Sequence, residues 1–164
     1  MKSVYLETSI ISYLTARPSQ DLILAAHQEV TRQWWNERRN RFELFVSRLV
    51  IDEVSRGDPD AVARRLNAIQ GLSALPIVPD AIRLAKRLID TEALPRVAVE
   101  DALHIGLSAV NGIHYLLTWN CKHIANAERL WQINDLIRGE GLEPPLICTP
   151  EEFLESNHEE RPDR

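Results

Sequence analysis

Residues 97–120 read VAVEDALHIGLSAVNGIHYLLTWN, which is the pattern of an apolar helix followed by a short buried strand. Apolar side chains occupy most positions from 97 to 111, and Gly112 stands where helices commonly end. The run 114–118 then predicts a strand of mainly apolar residues. A helix that leads directly into such a strand is typical of a layered α/β protein.

The same alternation of helix and strand extends along the chain on both sides of this segment. Strands are predicted at residues 3–6, 42–47, 76–78, 114–118 and 146–148. Helices are predicted at residues 10–14, 19–41 with Ser19 as N-cap, 48–56, 59–70, 79–91, 97–111 and 126–138, and a short terminal helix opens at 149. This alternation indicates an α/β fold with a central, mostly parallel sheet. We expect one domain over residues 1–155 and a polar, disordered tail over 156–164.

The composition limits the classes of function that fit this chain. Its 164 residues carry a net charge of −5, which argues against a nucleic-acid binder that works by positive charge alone. An enzyme that acts on nucleic acid through a bound metal remains compatible, because the metal supplies positive charge. No apolar run reaches the ~18 residues of a membrane span. The only cysteines are Cys121 and Cys148, which favours a reducing compartment, and we expect the protein in the cytoplasm.

Polar side chains follow several predicted strands at the point where each strand ends. Parallel strands end at the same edge of a sheet, and ligands bind there in open α/β folds. The polar residues that the sequence places at this edge are Glu7, Thr8 and Ser9 after the first strand, Asp52 and Glu53 after the second, Thr118, Trp119 and Asn120 after the fourth, and Glu100 and Asp101 at the start of the preceding helix. Acidic and amide groups from four separate parts of the chain are therefore predicted to meet.

Asp101 is the most informative of these residues, because its helix is apolar on most sides and an unpaired carboxylate there is costly. The alternatives to a metal ligand are that Asp101 caps its helix or pairs with an arginine. Glu7 has the alternative role of a helix cap, although Thr8 or Ser9 is the more usual cap. Glu53 has the alternative of a solvated helix face. Carboxylates that do meet repel one another, and their oxygens favour Mg²⁺ or Mn²⁺ over Zn²⁺.

Other polar and aromatic features carry weaker signals. Cys121-Lys122-His123 lacks a second Cys/His pair at zinc spacing and predicts no zinc site. His104 lies one turn after Asp101, and we expect it to hydrogen-bond to Asp101 or to the backbone. Trp34 and Trp35 are expected in the core or at a subunit interface. A local concentration of arginines indicates either a solvated helix face or contacts with phosphates, and it comprises Arg32, Arg38, Arg39, Arg41 and Arg48.

The ordered series of these motifs resembles the PIN-domain family, which includes the VapC-type toxins of bacterial toxin–antitoxin pairs. The segments that carry the resemblance are Glu7-Thr8-Ser9, SRLVIDEV at 47–54, EDALHI at 100–105 and LTWN at 117–120. The resemblance covers roughly residues 3–150. It implies a three-layer α/β/α sandwich with a central parallel sheet and a Mg²⁺- or Mn²⁺-dependent endoribonuclease activity.

The resemblance also assigns roles to individual residues. It implies that Glu7, Glu53 and Asp101 hold the metal, and that Asn120 is the fourth catalytic position. It implies that the hydroxyls of Thr8, Ser9 and Thr118 line the site and position substrate or water. The implied partners are an RNA substrate, a cognate antitoxin protein and a second copy of the chain in a homodimer, with no membrane involved.

Two positions depart from the family pattern. The first acidic residue is usually Asp and is here Glu7, and the fourth is often Asp and is here Asn120, which brings no charge. These departures support an alternative function, that of a PIN-like module that binds RNA or protein and cleaves poorly. A different acidic α/β enzyme, such as a phosphatase or a receiver domain, needs a nucleophilic Asp after the first strand, where this chain has Glu7.

Overall fold

Five short apolar runs form a parallel sheet at the centre of the molecule, in a computed structural model that describes residues 1–154. The sheet has the order β3-β2-β1-β4-β5, and every neighbouring pair is parallel. Val4 at the centre of the sheet lies opposite Leu44 on one side and Tyr115 on the other. The strands are β1 (Lys2–Leu6), β2 (Phe42–Ser47), β3 (Ser73–Leu75), β4 (Tyr115–Leu117) and β5 (Leu146–Cys148).

Helices connect all the strands and form the outer layers. They are α1 (Thr8–Thr15), α2 (Leu22–Glu37), α3 (Arg48–Val54), α4 (Pro59–Ile69), α5 (Pro79–Asp90), α6 (Val99–Val110) and α7 (Ala127–Gly139), with 3₁₀ turns at Arg39–Arg41 and Pro150–Phe153. Crossovers between parallel strands are right-handed, so the helices that precede β3 and those that follow it cover opposite faces. Accordingly α1 packs with α2, α3 and α4, whereas α5 packs with α6 and α7. The predicted three-layer α/β/α sandwich is confirmed.

Strands β2 and β3 lie on one side of β1, and strands β4 and β5 lie on its other side. The connections from β1 lead towards β2 and β3, whereas β4 lies on the other side of β1 and leads to β5. Such a reversal of the strand order opens a crevice at the carboxyl ends of β1 and β4, because their following segments cover opposite faces. Glu7 follows β1 and Thr118 follows β4, so the topology itself places both residues in this crevice.

The third strand lies three residues earlier in the chain than the sequence predicts. The prediction at residues 76–78 is wrong, since β3 is formed by Ser73–Leu75, which pair with residues 45–47 of β2. Pro76 ends the pairing because it has no N–H to donate to the ladder. Val78 is instead the N-cap residue of α5, whose first residue is Pro79.

The predicted helices are confirmed in number, and their ends differ by a few residues. The second helix starts after Asp21, whose side chain accepts a hydrogen bond from the Leu24 N–H, so Ser19 is not its cap. It ends at Glu37 rather than at Arg41, where a separate 3₁₀ turn stands. The first helix is longer than predicted, and the terminal helix is a single 3₁₀ turn.

The core lies between the sheet and its helices, and Trp34 is fully buried in it. Val97 was assigned to the apolar helix at 97–111, but it precedes α6 and its side chain is 87% exposed. Within residues 1–154, no helix combines the length and the hydropathy that a bilayer crossing needs. The disordered tail predicted at 156–164 lies outside the described residues.

Helices α5 and α6 approach each other closely at Gly106. A Cβ atom on Gly106 would stand 2.6 Å from the carbonyl oxygen of Ala81, closer than atoms can pack. We therefore expect Gly106→Ala to lower the free energy of unfolding by about 1–3 kcal/mol, the usual range for overpacking. Urea denaturation followed by circular dichroism measures this change.

The matched control is Gly139→Ala, at the end of α7, where an added Cβ meets no atom within 4 Å. Alanine lowers the conformational entropy of the unfolded chain. This variant should therefore have an unchanged free energy of unfolding or one that is higher by about 0.4–1 kcal/mol. Equal effects of the two substitutions would contradict the assignment of Gly106 to a close helix contact.

Candidate functional site

Glu7 forms the centre of the crevice between β1 and β4. Its backbone N–H donates to the Leu117 carbonyl, and its Oε2 accepts hydrogen bonds from the Ser9 N–H at 3.1 Å, from Thr118 Oγ1 at 2.8 Å and from Ser9 Oγ. The residue is only 5% exposed. Glu7 is itself the N-cap of α1, so the expectation that Thr8 or Ser9 takes that place is wrong. The cap fixes one carboxylate oxygen against the helix N-terminus, where negative charge is stabilised.

Glu53 reaches the same crevice from the last turn of α3. Its Oε1 accepts a hydrogen bond from Thr8 Oγ1 at 2.8 Å, and the Nε2 atom of His104 lies 2.6 Å away. The fully buried His104 also contacts the Tyr5 hydroxyl through Nδ1 at 2.7 Å, and that hydroxyl lies 2.7 Å from Ser47 Oγ. Glu53 is therefore not on a solvated face. The expected partners of His104 are also wrong, because it bonds to a tyrosine and a glutamate rather than to Asp101 or the backbone.

The pKa values of this pair move in opposite directions. Burial disfavours the charged form of each group, but specific contacts outweigh it. For Glu53, hydrogen bonds from His104 and Thr8 and the nearby imidazolium hold the pKa of the carboxyl below its usual range. For His104, the hydrogen bond to Glu53 and the negative charges of Glu7, Glu53 and Asp101 hold the pKa above its usual value. Burial also raises the pKa of the Tyr5 phenol, which stays protonated.

Asp101 approaches from the first turn of α6 and has a histidine as its partner. His123 Nδ1 lies 2.8 Å from Asp101 Oδ2, and the backbone N–H of His123 donates to Asn120 Oδ1 at 3.0 Å. Ala98 is the N-cap residue of α6, and no side chain bonds to this helix end. Both alternatives for Asp101, a helix cap and an arginine pair, are therefore wrong. Asn120 acts within its own loop, where it holds His123 against Asp101.

Sequence reasoning missed His123 as the partner of Asp101, and it missed Tyr5 as a partner of His104. His123 was considered only as part of a zinc motif, and no such motif exists at this place. The available signal was its position three residues after Asn120, in the same loop that follows β4. A loop that starts at the carboxyl ends of parallel strands brings every polar residue of its first turn close to the crevice.

Two other acidic residues at this edge are held by arginines. Asp52 pairs with Arg48 at 3.1 Å, and Glu100 pairs with Arg56 at 3.3 Å. All four side chains of these ion pairs are more than 40% exposed, so they contribute little to stability. Asp52 and Glu100 therefore each have a positively charged partner at this edge.

The oxygen atoms of this site are of the kind that hard divalent cations prefer as ligands. Glu7, Glu53 and Asp101 offer only carboxylate oxygens, and Glu7 Oε1 and Asp101 Oδ1 accept no hydrogen bond from residues 1–154. In the same part of the chain, no three His, Cys, Asp or Glu side chains converge closely enough to surround an ion. Mg²⁺ characteristically binds one or two carboxylates and keeps several waters, and this arrangement fits such partial coordination.

The charged pair of His104 and Glu53 makes stability depend on pH in a defined direction. A raised pKa in the folded protein means that protonated His104 stabilises the fold below its ordinary pKa of 6.5, and this contribution is lost as the pH rises through the raised value. The free energy of unfolding in EDTA should therefore fall above about pH 6.5. We expect His104→Gln to reduce this slope, which urea titrations between pH 6 and 9 measure.

Tyr5→Phe is the control for this experiment. It removes a buried hydroxyl from the hydrogen-bond chain and should cost about 1–3 kcal/mol at every pH, because it leaves the imidazole and the carboxylate in place. The slope with pH should therefore remain as in the unmodified protein. Identical slopes in the unmodified protein and in His104→Gln would contradict a charged pair.

Comparisons with known proteins bear on the fold. No family model and no curated protein matches the sequence. The structure of VapC20 from Mycobacterium tuberculosis, a toxin that cleaves the sarcin–ricin loop, superposes with a TM-score of 0.54 at 16% identity, over 69% of this chain and 86% of that one. VapBC2 from Rickettsia felis, bound to a promoter DNA fragment, gives a TM-score of 0.59 at 13% identity, over 90% and 98% of the two chains. The chain therefore has a VapC-like PIN fold.

Proposed function

We propose that this chain is a divalent-metal-dependent endoribonuclease and the toxin of a toxin–antitoxin pair. The observation that carries the proposal is that Glu53 contacts His104 in the crevice between β1 and β4, while the charges of Glu7 and Asp101 act on the same imidazole. A cluster of buried or half-buried carboxylates is costly without a cation. A likeness in fold to a toxin that cleaves RNA supports the same reaction class.

Glu7, Glu53 and Asp101 are the residues that would hold Mg²⁺ or Mn²⁺. Such an ion, when bound, lowers the pKa of a water molecule and neutralises charge on the phosphate that is attacked. The chain itself supplies orientation. Thr118 and Ser9 fix Oε2 of Glu7, so that only Oε1 is free of hydrogen bonds from the described residues. His123 does the same for Asp101 by occupying Oδ2.

The hydroxyls of Thr8, Ser9 and Thr118 hold the carboxylates in place. Thr118 Oγ1 donates to Glu7 and accepts from the Asn120 N–H, and Ser9 Oγ donates to Glu7 and accepts from the Trp119 N–H. Thr8 donates to Glu53. Because each hydroxyl proton is already used, these residues position substrate or water only through the carboxylates that they orient.

The second candidate function is that of a binding module with this fold and little cleavage. Two observations favour it. Asn120 brings no negative charge and uses its side-chain oxygen within its own loop. The described residues also lack a three-carboxylate group close enough to surround an ion. Metal-independent RNA binding without cleavage would establish this function instead.

The proposed partners are an antitoxin protein and a second copy of the chain. The protein from Rickettsia felis with a similar fold is a VapBC assembly on promoter DNA, which supports a protein partner. Several large apolar side chains are exposed, among them Leu22, Ile23 and Trp131. Sedimentation equilibrium should give twice the 18.8 kDa mass of the chain. A monomer at every concentration tested would refute the homodimer.

The nuclease proposal makes Asp101 indispensable. We expect Asp101→Asn to lower cleavage of labelled single-stranded RNA by more than about 100-fold, because loss of even an outer partner at a metal site costs about 10–100-fold and Asp101 is a proposed ligand. The matched control is Asp52→Asn, which removes an exposed acid at the same edge that is paired with Arg48. Full activity of Asp101→Asn, in protein purified alongside the unmodified chain, would refute the assignment.

The metal requirement is tested on the same two variants. Cleavage should stop in EDTA and return with Mg²⁺ or Mn²⁺. Mn²⁺ binding, followed by the relaxation of water protons, should be weakened in Asp101→Asn and unchanged in Asp52→Asn. Cleavage that persists in EDTA would contradict the metal, whereas binding of Mn²⁺ without cleavage would favour the second candidate function.

A further inference from the structure

A cleft of about 450 Å³ lies next to the acidic site, between the end of α1 and the start of α4. Its lining contains three guanidinium groups, from Arg17, Arg64 and Arg65, together with small and hydroxyl side chains of α1. This concentration of positive charge stands out in a chain of net charge −5. None of the roles assigned above uses these three arginines.

The arginines of the cleft differ from those at the carboxylates. Arg48 and Arg56 are neutralised by ion pairs, whereas the three arginines of the cleft have no carboxylate within ion-pair distance among the described residues. Arg64 is half-buried, and its Nε donates to the Thr15 carbonyl at 3.1 Å. That bond fixes the side chain across the cleft, and its terminal nitrogens donate no hydrogen bond to residues 1–154.

Two carboxylates also line the cleft, and neither neutralises these arginines. Asp58 is the N-cap of α4, where its side chain accepts a hydrogen bond from the Ala61 N–H at 3.0 Å. Asp60 stands in the first turn of the same helix, whose N-terminus partly balances both charges. Three guanidinium groups against two carboxylates leave the cleft with a positive balance.

The cleft is joined to the acidic site through two elements. Thr8, at the start of α1, bonds to Glu53, and α1 then runs about 10 Å at 1.5 Å per residue to Thr15. Arg65 donates to the Val54 carbonyl at 3.0 Å, next to Glu53 in the chain. Stacked nucleotides rise by about 3.4 Å each, so the cleft lies no more than about three nucleotides from the carboxylates.

We propose that this cleft binds a backbone phosphate of an RNA strand, up to about three nucleotides from the phosphodiester that lies at the carboxylates, with Arg17 and Arg64 as the contacting residues. The proposal rests on the proposed function for the identity of the strand. A guanidinium group matches a phosphate in shape and charge, and its planar fork gives two parallel hydrogen bonds. Positive charge beside the acidic crevice also offsets the repulsion that a polyanion meets there.

The test is RNA binding measured in EDTA, so that it does not depend on cleavage. Fluorescence anisotropy of a labelled single-stranded 12-nucleotide RNA is recorded at several salt concentrations for the unmodified chain, Arg64→Gln and Arg17→Gln. On single strands each phosphate contact contributes about −0.7 to the slope of log K against log salt. We expect each variant to weaken binding and to reduce that slope by about 0.7.

Arg83→Gln is the matched control. Arg83 is an exposed arginine that pairs with Asp80 within α5, and this helix lies in the layer opposite to the cleft. It should leave the affinity and the slope unchanged. The exposed side chain of Arg17 makes no hydrogen bond within the described residues, because only its backbone carbonyl accepts one, from Gln28, so its variant is informative even where Arg64→Gln loses stability. Circular dichroism of each variant establishes that it is folded.

The outcomes separate this proposal from the nuclease proposal. Slopes that fall in both cleft variants support the phosphate site, even if the protein never cleaves RNA in Mg²⁺ or Mn²⁺. Slopes equal to that of Arg83→Gln overturn it, even if the protein cleaves well. Absence of RNA binding overturns the proposal too. It is also overturned if the cleft variants bind RNA normally but no longer bind a protein partner, because the cleft would then bind an acidic peptide.

Discussion

A buried imidazole between a phenol and a carboxylate holds the acidic crevice together. His104 joins α6 to β1 through Tyr5 and to α3 through Glu53, so three segments far apart in the chain meet at one side chain. Loss of one member of a buried charged pair costs about 3–5 kcal/mol, because the other charge is left without compensation. That cost is a large share of the net stability of about 5–15 kcal/mol that is usual for a folded protein.

Each carboxylate of the crevice has its own polar partners. Glu53 has an imidazolium and a hydroxyl as partners, Glu7 has the N-terminus of α1 and two hydroxyls, and Asp101 has a histidine. Each partner fixes one oxygen and lowers the repulsion within the cluster. A site arranged in this way needs little reorganisation when it acts, which is the condition under which fixed charges stabilise a transition state best.

The layered fold and the carboxylates of the crevice can be predicted from the sequence, because strands that end in polar residues are local patterns. The sequence does not contain the register of β3, which depends on where Pro76 falls relative to β2. The partner of His104 was also out of reach, since an i, i+3 spacing indicates Asp101 as a neighbour, whereas tertiary packing turns the ring towards Tyr5 and Glu53. Capping propensity disfavours Glu7 as the N-cap of α1, but the hydrogen-bond donors around it override that preference.

Asn120 shows how a departure from a family pattern can alter charge and preserve geometry. Its oxygen accepts the His123 N–H, and a carboxylate at this position would accept the same bond. An aspartate there would add a negative charge close to Asp101, where His123 already supplies the polar partner. The asparagine thus keeps the loop that presents the imidazole and lowers the charge that a cation would have to balance. The electrostatics of this crevice therefore depend on two histidines as well as on three carboxylates, and fewer acidic groups suffice to build it.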